Sequence, residues 1–164
     1  MTRMRYADAD SVVVLDDTYS PVIIVSWIGE PTLELVEIYQ RWQGEQIERA
    51  KSAGLRLISL TDCSRTERPS SRVRKAFSED PAEGEAVFLK SIVVITSPVI
   101  RGALTAVKWL MGDRFGDVEV AESTRGAITR CLDLLDQHGI ARPSLSPTSY
   151  RGPVAHADER AEGG

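Results

Sequence analysis

The densest run of side chains able to do chemistry lies between Asp62 and Lys75. Arg65, Arg68, Arg72, Arg74 and Lys75 follow one another with Glu67 as the single acidic interruption, so this stretch carries a formal +4 inside a chain whose total is −4. Guanidinium groups present forked donors that match carboxylates and phosphates. The segment therefore reads as a binding surface for an anion or an acidic protein partner; the plain alternative is a solvated loop and helix face. Nucleic acid is excluded by the acidic total and by the lack of an aromatic platform beside the cluster. Ser64, Thr66, Ser70 and Ser71 are interleaved with the basic residues, and a phosphate on Ser64 or Ser70 would add charge next to several arginines.

Other reactive residue types give less. Cys63 adjoins Asp62 and precedes Arg65 by two, and a neighbouring cation or helix N-terminus would lower its pKa. No base accompanies it, because His138 and His156 both come late in the chain. Asp16 and Asp17 together with Asp62 invite comparison with the Mg²⁺-binding acidic set of a phospho-acceptor receiver. The element order opposes that, and no Lys closes the last strand, so Asp16-Asp17 reads as a turn pair. The two cysteines, Cys63 and Cys131, make no disulfide or metal framework, and Cys131 falls on an apolar helical face. Phosphate-cradling glycine loops, a nucleophile elbow and metal-spaced Cys/His clusters are all missing from the sequence. The expectation is no catalytic residue, no metal and no cofactor. Of the three tryptophans, Trp27 and Trp42 are expected in the core, and Trp109 at the rim of its helix's apolar stripe, where it would serve as an interface anchor.

These residues need elements to position them. Val12–Leu15 and Val22–Ile28 are β-branched runs separated by Asp16-Asp17 and a Thr18–Pro21 turn, which predicts an antiparallel hairpin. Pro31 opens a long helix with Leu35, Tyr39, Trp42, Ala50 and Ala53 on one face, and Gly54 ends it. Leu55–Leu60 is the third strand, followed by a polar loop holding Asp62 and Cys63. A short helix capped by Ser70 or Ser71 buries Val73, Ala76 and Phe77, ends or kinks at Asp80-Pro81, and is followed by a turn or two over 83–89. Ile92–Ile95 reads as an inner parallel strand. A helix after Ser97-Pro98 carries Ile100, Ala103, Leu104, Val107, Leu110 and Met111, and Gly112 closes it. Val118 and Val120 mark a last strand, and Ile128, Cys131, Leu132 and Leu135 the final helix, stopped by Gly139. The order ββαβαβαβα predicts a single α/β domain over 11–140, with a mixed, mainly parallel sheet and helices packed on it. Residues 1–10 are expected to be a flexible end and 141–164 a disordered tail poor in apolar side chains.

At 164 residues, with 42% hydrophobic and 27% charged side chains, the chain suits one globular core. Its mean hydropathy is −0.17. No apolar run approaches the ~20 residues that span a bilayer, and residues 1–10 lack the apolar stretch of a secretory signal, so a cytoplasmic location is expected.

The element order with its long first helix resembles the SpoIIAA-like branch of the STAS domains, which is related to anti-sigma-factor antagonists and, in topology, to lipid-binding SEC14 modules. Leu60-Thr61-Asp62 at the end of the third strand carries part of the resemblance. Val93–Ser97 leading into Arg101–Leu110, and Ala127-Ile128 with Leu132 and Leu135, carry the rest. It spans residues 11–139. The resemblance implies a non-enzymatic regulatory module without cofactor, binding a protein partner of kinase or regulator type through the second helix and the loop before it. It also implies phospho-regulation of a Ser or Thr in the region matching Asp62–Ser71. The sequence departs from the family's usual Asp-Ser-Ser or Asp-Ser-Thr followed by Gly, having Asp62-Cys63-Ser64-Arg65 instead. The SEC14 side implies a different module, one that holds a lipid or other small molecule in a sizeable apolar pocket under the long first helix.

Overall fold

Six strands lie side by side in chain order: β1 (Arg3–Asp8), β2 (Ser11–Asp16), β3 (Val22–Gly29), β4 (Leu57–Thr66), β5 (Phe88–Val94) and β6 (Val118–Ala121). The computed structural model describes residues 1–79, 86–111 and 118–153, with side chains up to 105 in the middle stretch. β1, β2 and β3 pair antiparallel, and β3 to β6 pair parallel. Among the described residues four helices accompany the sheet: α1 (Leu33–Ala53), α2 (Ser71–Ser78), α3 (Pro98–Met111) and α4 (Thr124–Gln137). This is the expected single α/β domain with a mixed sheet, extended by one strand at the front.

Local chemistry fixes the helix ends. The Thr32 hydroxyl accepts from the Leu35 N–H at 3.4 Å and starts α1, while Gly54, at φ +64°, ends it by donating to the Ala50 and Lys51 carbonyls. Ser70 accepts from Val73 at 3.3 Å at the start of α2, and Ser123 accepts from Gly126 at 3.0 Å at the start of α4.

Strand alternation then sends side chains to two faces. On one face Val13, Leu15, Ile23, Val25 and Trp27 pack with Leu35, Val36 and Trp42 of α1 and Val73 of α2. Further along the same face, Val93 and Ile95 pack with Ile100 of α3. On the opposite face Val22, Ile24, Ile58, Leu60, Ile92 and Val94 pack against Ile128, Cys131, Leu132 and Leu135 of α4.

Four expectations are corrected. The N-terminal residues do not fray: Arg3–Asp8 pairs with β2 across the Ala9-Asp10 turn, and Met4 and Tyr6 pack on the α1 cluster. The third strand of the sequence reading runs on to Thr66, because β3 continues opposite it as far as Gly29. Residues 88 and 89 belong to β5 rather than to a helical turn. The C-terminal segment is anchored through residue 153. Leu145 is only 5% exposed in the α4 cluster, and Tyr150 meets Tyr19 edge-on at 6.0 Å. Arg3 and Arg65 donate to the carbonyls of Arg151 and Pro153 at 3.0 and 2.7 Å. A low apolar average concealed a few side chains that hold the whole segment down. Asp80-Pro81, residues 83–85, Gly112, the side chains of Val107, Trp109, Leu110 and Met111, and residues 154–164 lie outside what is described.

Candidate functional site

The two apolar clusters on the face that carries α1, α2 and α3 do not merge. Between them lies a cavity of about 240 Å³. Ser59, Thr61 and Cys63 of β4 share one face by the two-residue period, and together with Ser91 and Val93 of β5 they form its floor. Trp27, Tyr39 and Phe77 wall one side, while Ile100, Ala103 and Leu104 of α3 wall the other. Trp27 meets Tyr39 and Phe77 in T-shaped contacts with ring centroids 5.7 Å apart in both pairs, an arrangement the ring quadrupoles favour.

Among the described residues the lining contains no Asp, Glu, Lys, Arg or His. The Cys63 thiol is neutral: burial pushes its pKa up to about 12, with the Asp62 carboxylate adding to the shift and the Thr66 hydroxyl opposing it. This reverses the sequence argument for an activated cysteine, because β4 carries Cys63 into the layer between sheet and helices rather than onto a helix N-terminus. The size falls between ~150 Å³, which accepts benzene, and the ~300 Å³ lower end of drug-sized pockets. Such a volume suits a compound of one or two rings.

The basic run of the sequence is not one surface. Three residues of β3 (Ser26 to Ile28) span four of β4 (Asp62 to Arg65), so β4 bulges and its alternation reverses after Cys63. Cys63 and Thr66 border the cavity, whereas Asp62, Ser64 and Arg65 face the opposite side. There Asp62 accepts from the Ser64 N–H at 2.9 Å and the Thr124 hydroxyl at 3.0 Å, beneath the C-terminal segment that Arg65 helps hold. Asp62 and Cys63, expected in a loop, are thus strand residues, as are Ser64 and Thr66. The Thr66 hydroxyl donates to the Trp27 carbonyl at 3.3 Å.

Arg68 and Arg72 are exposed beside α2, Arg74 donates to the Pro69 carbonyl at 2.9 Å, and Lys75 pairs with Glu79 at 3.7 Å. Ser70 and Ser71 are exposed at the start of that helix.

Asp16 and Asp17 do more than turn the chain. Both are buried; Asp16 accepts from the Thr18 N–H at 3.0 Å, and Asp17 ties Thr2, Gln46 and Arg49 together. Asp62 is held elsewhere, by Ser64 and Thr124, and among the described residues no acidic or Cys/His cluster has the makings of a metal site.

The floor hydroxyls were not singled out from the sequence. Their signal was Ser59 and Thr61 alternating with Ile58 and Leu60, and Ser91 at the head of the apolar run Ile92–Val94.

A solved structure of an uncharacterised protein from the DUF3478 family with a SpoIIAA-like fold, from Shewanella loihica PV-4, is similar to this chain. The likeness is to a SpoIIAA-like fold. The identity is 14% and the TM-score 0.45, with 79% of this chain and 91% of that one covered. No family model and no curated protein matches the sequence. Among the described residues no helix is long and apolar enough to cross a membrane.

Proposed function

We propose that this protein is a non-enzymatic binding module whose ligand is a small, mainly apolar molecule held in the cavity between the sheet and α1, α2 and α3. The observation that carries this reading is the cavity itself, set over β4 and β5 and bordered by Tyr39 and Gln43 of α1, Phe77 of α2 and Ile100, Ala103 and Leu104 of α3. Aromatic side chains of β3, α1 and α2 and aliphatic ones of α3 supply the apolar walls expected of a ligand site. A neutral, buried Cys63 with no histidine among the described lining residues argues for holding rather than for turnover. The test is native mass spectrometry of the protein purified from its own host, together with calorimetric titration of p-xylene. A retained small molecule or saturable p-xylene binding is expected; an empty protein that ignores p-xylene would sink the reading.

A second reading, a regulatory module docking a protein partner of kinase or regulator type through α2, rests on Ser70. It is an exposed N-cap flanked by Arg68 and Arg72, so a phosphate there would meet both the helix N-terminus and nearby guanidinium groups. Pull-down with wild type and an Arg68/Arg72/Arg74 triple alanine variant tests it. Equal recovery of every partner by both would remove α2 from consideration.

A further inference from the structure

Resting on the small-molecule reading, we infer that the cavity is selective for an uncharged one- or two-ring compound bearing a hydroxyl or carbonyl group, which the sheet hydroxyls of Ser59, Thr61 and Ser91 hydrogen-bond. Ser59 and Ser91 are register partners on β4 and β5, and Thr61 is the next residue of β4 on the same face. Ser59 is 7% exposed and lines the cavity. Among the described residues, none of the three side-chain hydroxyls makes a hydrogen bond. Ser59 is buried and Thr61 and Ser91 are half-buried, so three hydroxyls on one floor, opposite an aromatic wall, are open to a guest that hydrogen-bonds them.

Charge is the second half of the inference. Among the described residues, an ionised carboxylate or ammonium in this lining would find hydroxyls but no counter-charge, and burial of an unpaired charge is strongly unfavourable. A fatty-acid anion or a phosphate headgroup is therefore refused, while a neutral alcohol, phenol or ketone is accepted. Trp27, Tyr39 and Phe77 present ring edges and faces to which a flat guest packs.

p-Xylene, p-cresol and p-toluate separate these effects, since they share one shape and differ in a methyl, a hydroxyl and a carboxylate. Binding of each is titrated by NMR on wild type and on a Ser59→Ala/Ser91→Ala variant. The expected result is that the variant still binds p-xylene while the ratio of p-cresol to p-xylene affinity falls by roughly tenfold, the size of one hydrogen bond. p-Toluate is expected to bind neither protein. Retained p-xylene binding also shows that the variant is folded. An unchanged cresol-to-xylene ratio, or p-toluate binding as tightly as p-cresol, overturns the selectivity while leaving the cavity as a binding site. Failure of wild type to bind both p-xylene and p-cresol overturns the binding-module reading and this inference with it.

Discussion

Ser59 and Ser91 stand opposite each other on neighbouring parallel strands, with both side chains on the floor of the cavity. Apolar side chains occupy the corresponding floor at both ends, with Trp27 and Leu57 on one side and Val93 and Ile95 on the other. Two serines and a threonine therefore divide what would otherwise be one continuous core. Replacing Ser59 and Ser91 with valine is expected to close the gap and to raise stability by about 1 kcal/mol, since strands favour β-branched apolar residues and space is available for them. Urea denaturation checks the gain. The same variant should lose p-cresol binding, a trade of function for stability.

The C-terminal segment belongs to the domain. Leu145 is buried with Cys131, Leu132 and Leu135 in one cluster, so Leu145→Ala should cost about 2–4 kcal/mol in denaturant unfolding. Truncation after residue 142 should cost at least as much. A truncated chain with wild-type stability would show that the segment is not docked.

Asp17 couples stability to acid. Burial alone would raise its pKa, but hydrogen bonds from the Thr2 N–H, Arg49 and Gln46 outweigh burial and hold it below the ordinary carboxylate value. The folded-state value is the lower one, so the unfolded chain takes up the proton first as pH falls. The stability that Asp17 supplies is complete above about pH 5 and is lost as pH drops through about 3.9 toward the folded value. Asp17→Asn is expected to lower stability by about 2 kcal/mol at pH 7 and to flatten the acid limb of a stability-against-pH curve. An unchanged acid limb would show that other groups control it.

Cys63 should resist alkylation. With the thiol pushed up to about 12, iodoacetamide at pH 8 is expected to label the folded protein roughly a hundredfold more slowly than the urea-unfolded chain, followed by intact mass. Labelling of the folded protein at the rate of a free thiol would contradict its placement in the cavity wall.

Much of the architecture was legible in the residues. The β-branched run Val22–Ile28, the Gly54 stop and the i, i+3, i+4, i+7 stripe of Ile128, Cys131, Leu132 and Leu135 each carry a local signal with a physical cause, and each lies where the pattern put it. β1 was missed because its turn has no glycine or asparagine: Ala9 takes φ +52° itself, a conformation that its side chain disfavours. The C-terminal segment was missed for a related reason. Its hold on the body comes from a few long-range contacts by Leu145, Tyr150 and two arginines, which composition averages away.

By itself the sequence determined the element order from β2 onward, the parallel part of the sheet and the faces that helices bury, because these follow from periodicity and turn chemistry within short windows. Tertiary structure alone decided where a site forms. One extra residue in β4 sends Arg65 to the opposite side of the sheet from Cys63 and Thr66, and so breaks a basic run that looks continuous along the chain. The parallel register of β4 with β5 brings Ser59 to Ser91 across 31 intervening residues. Pairing between distant strands depends on backbone hydrogen bonds and packing summed over the whole sheet. No local pattern around either serine encodes it.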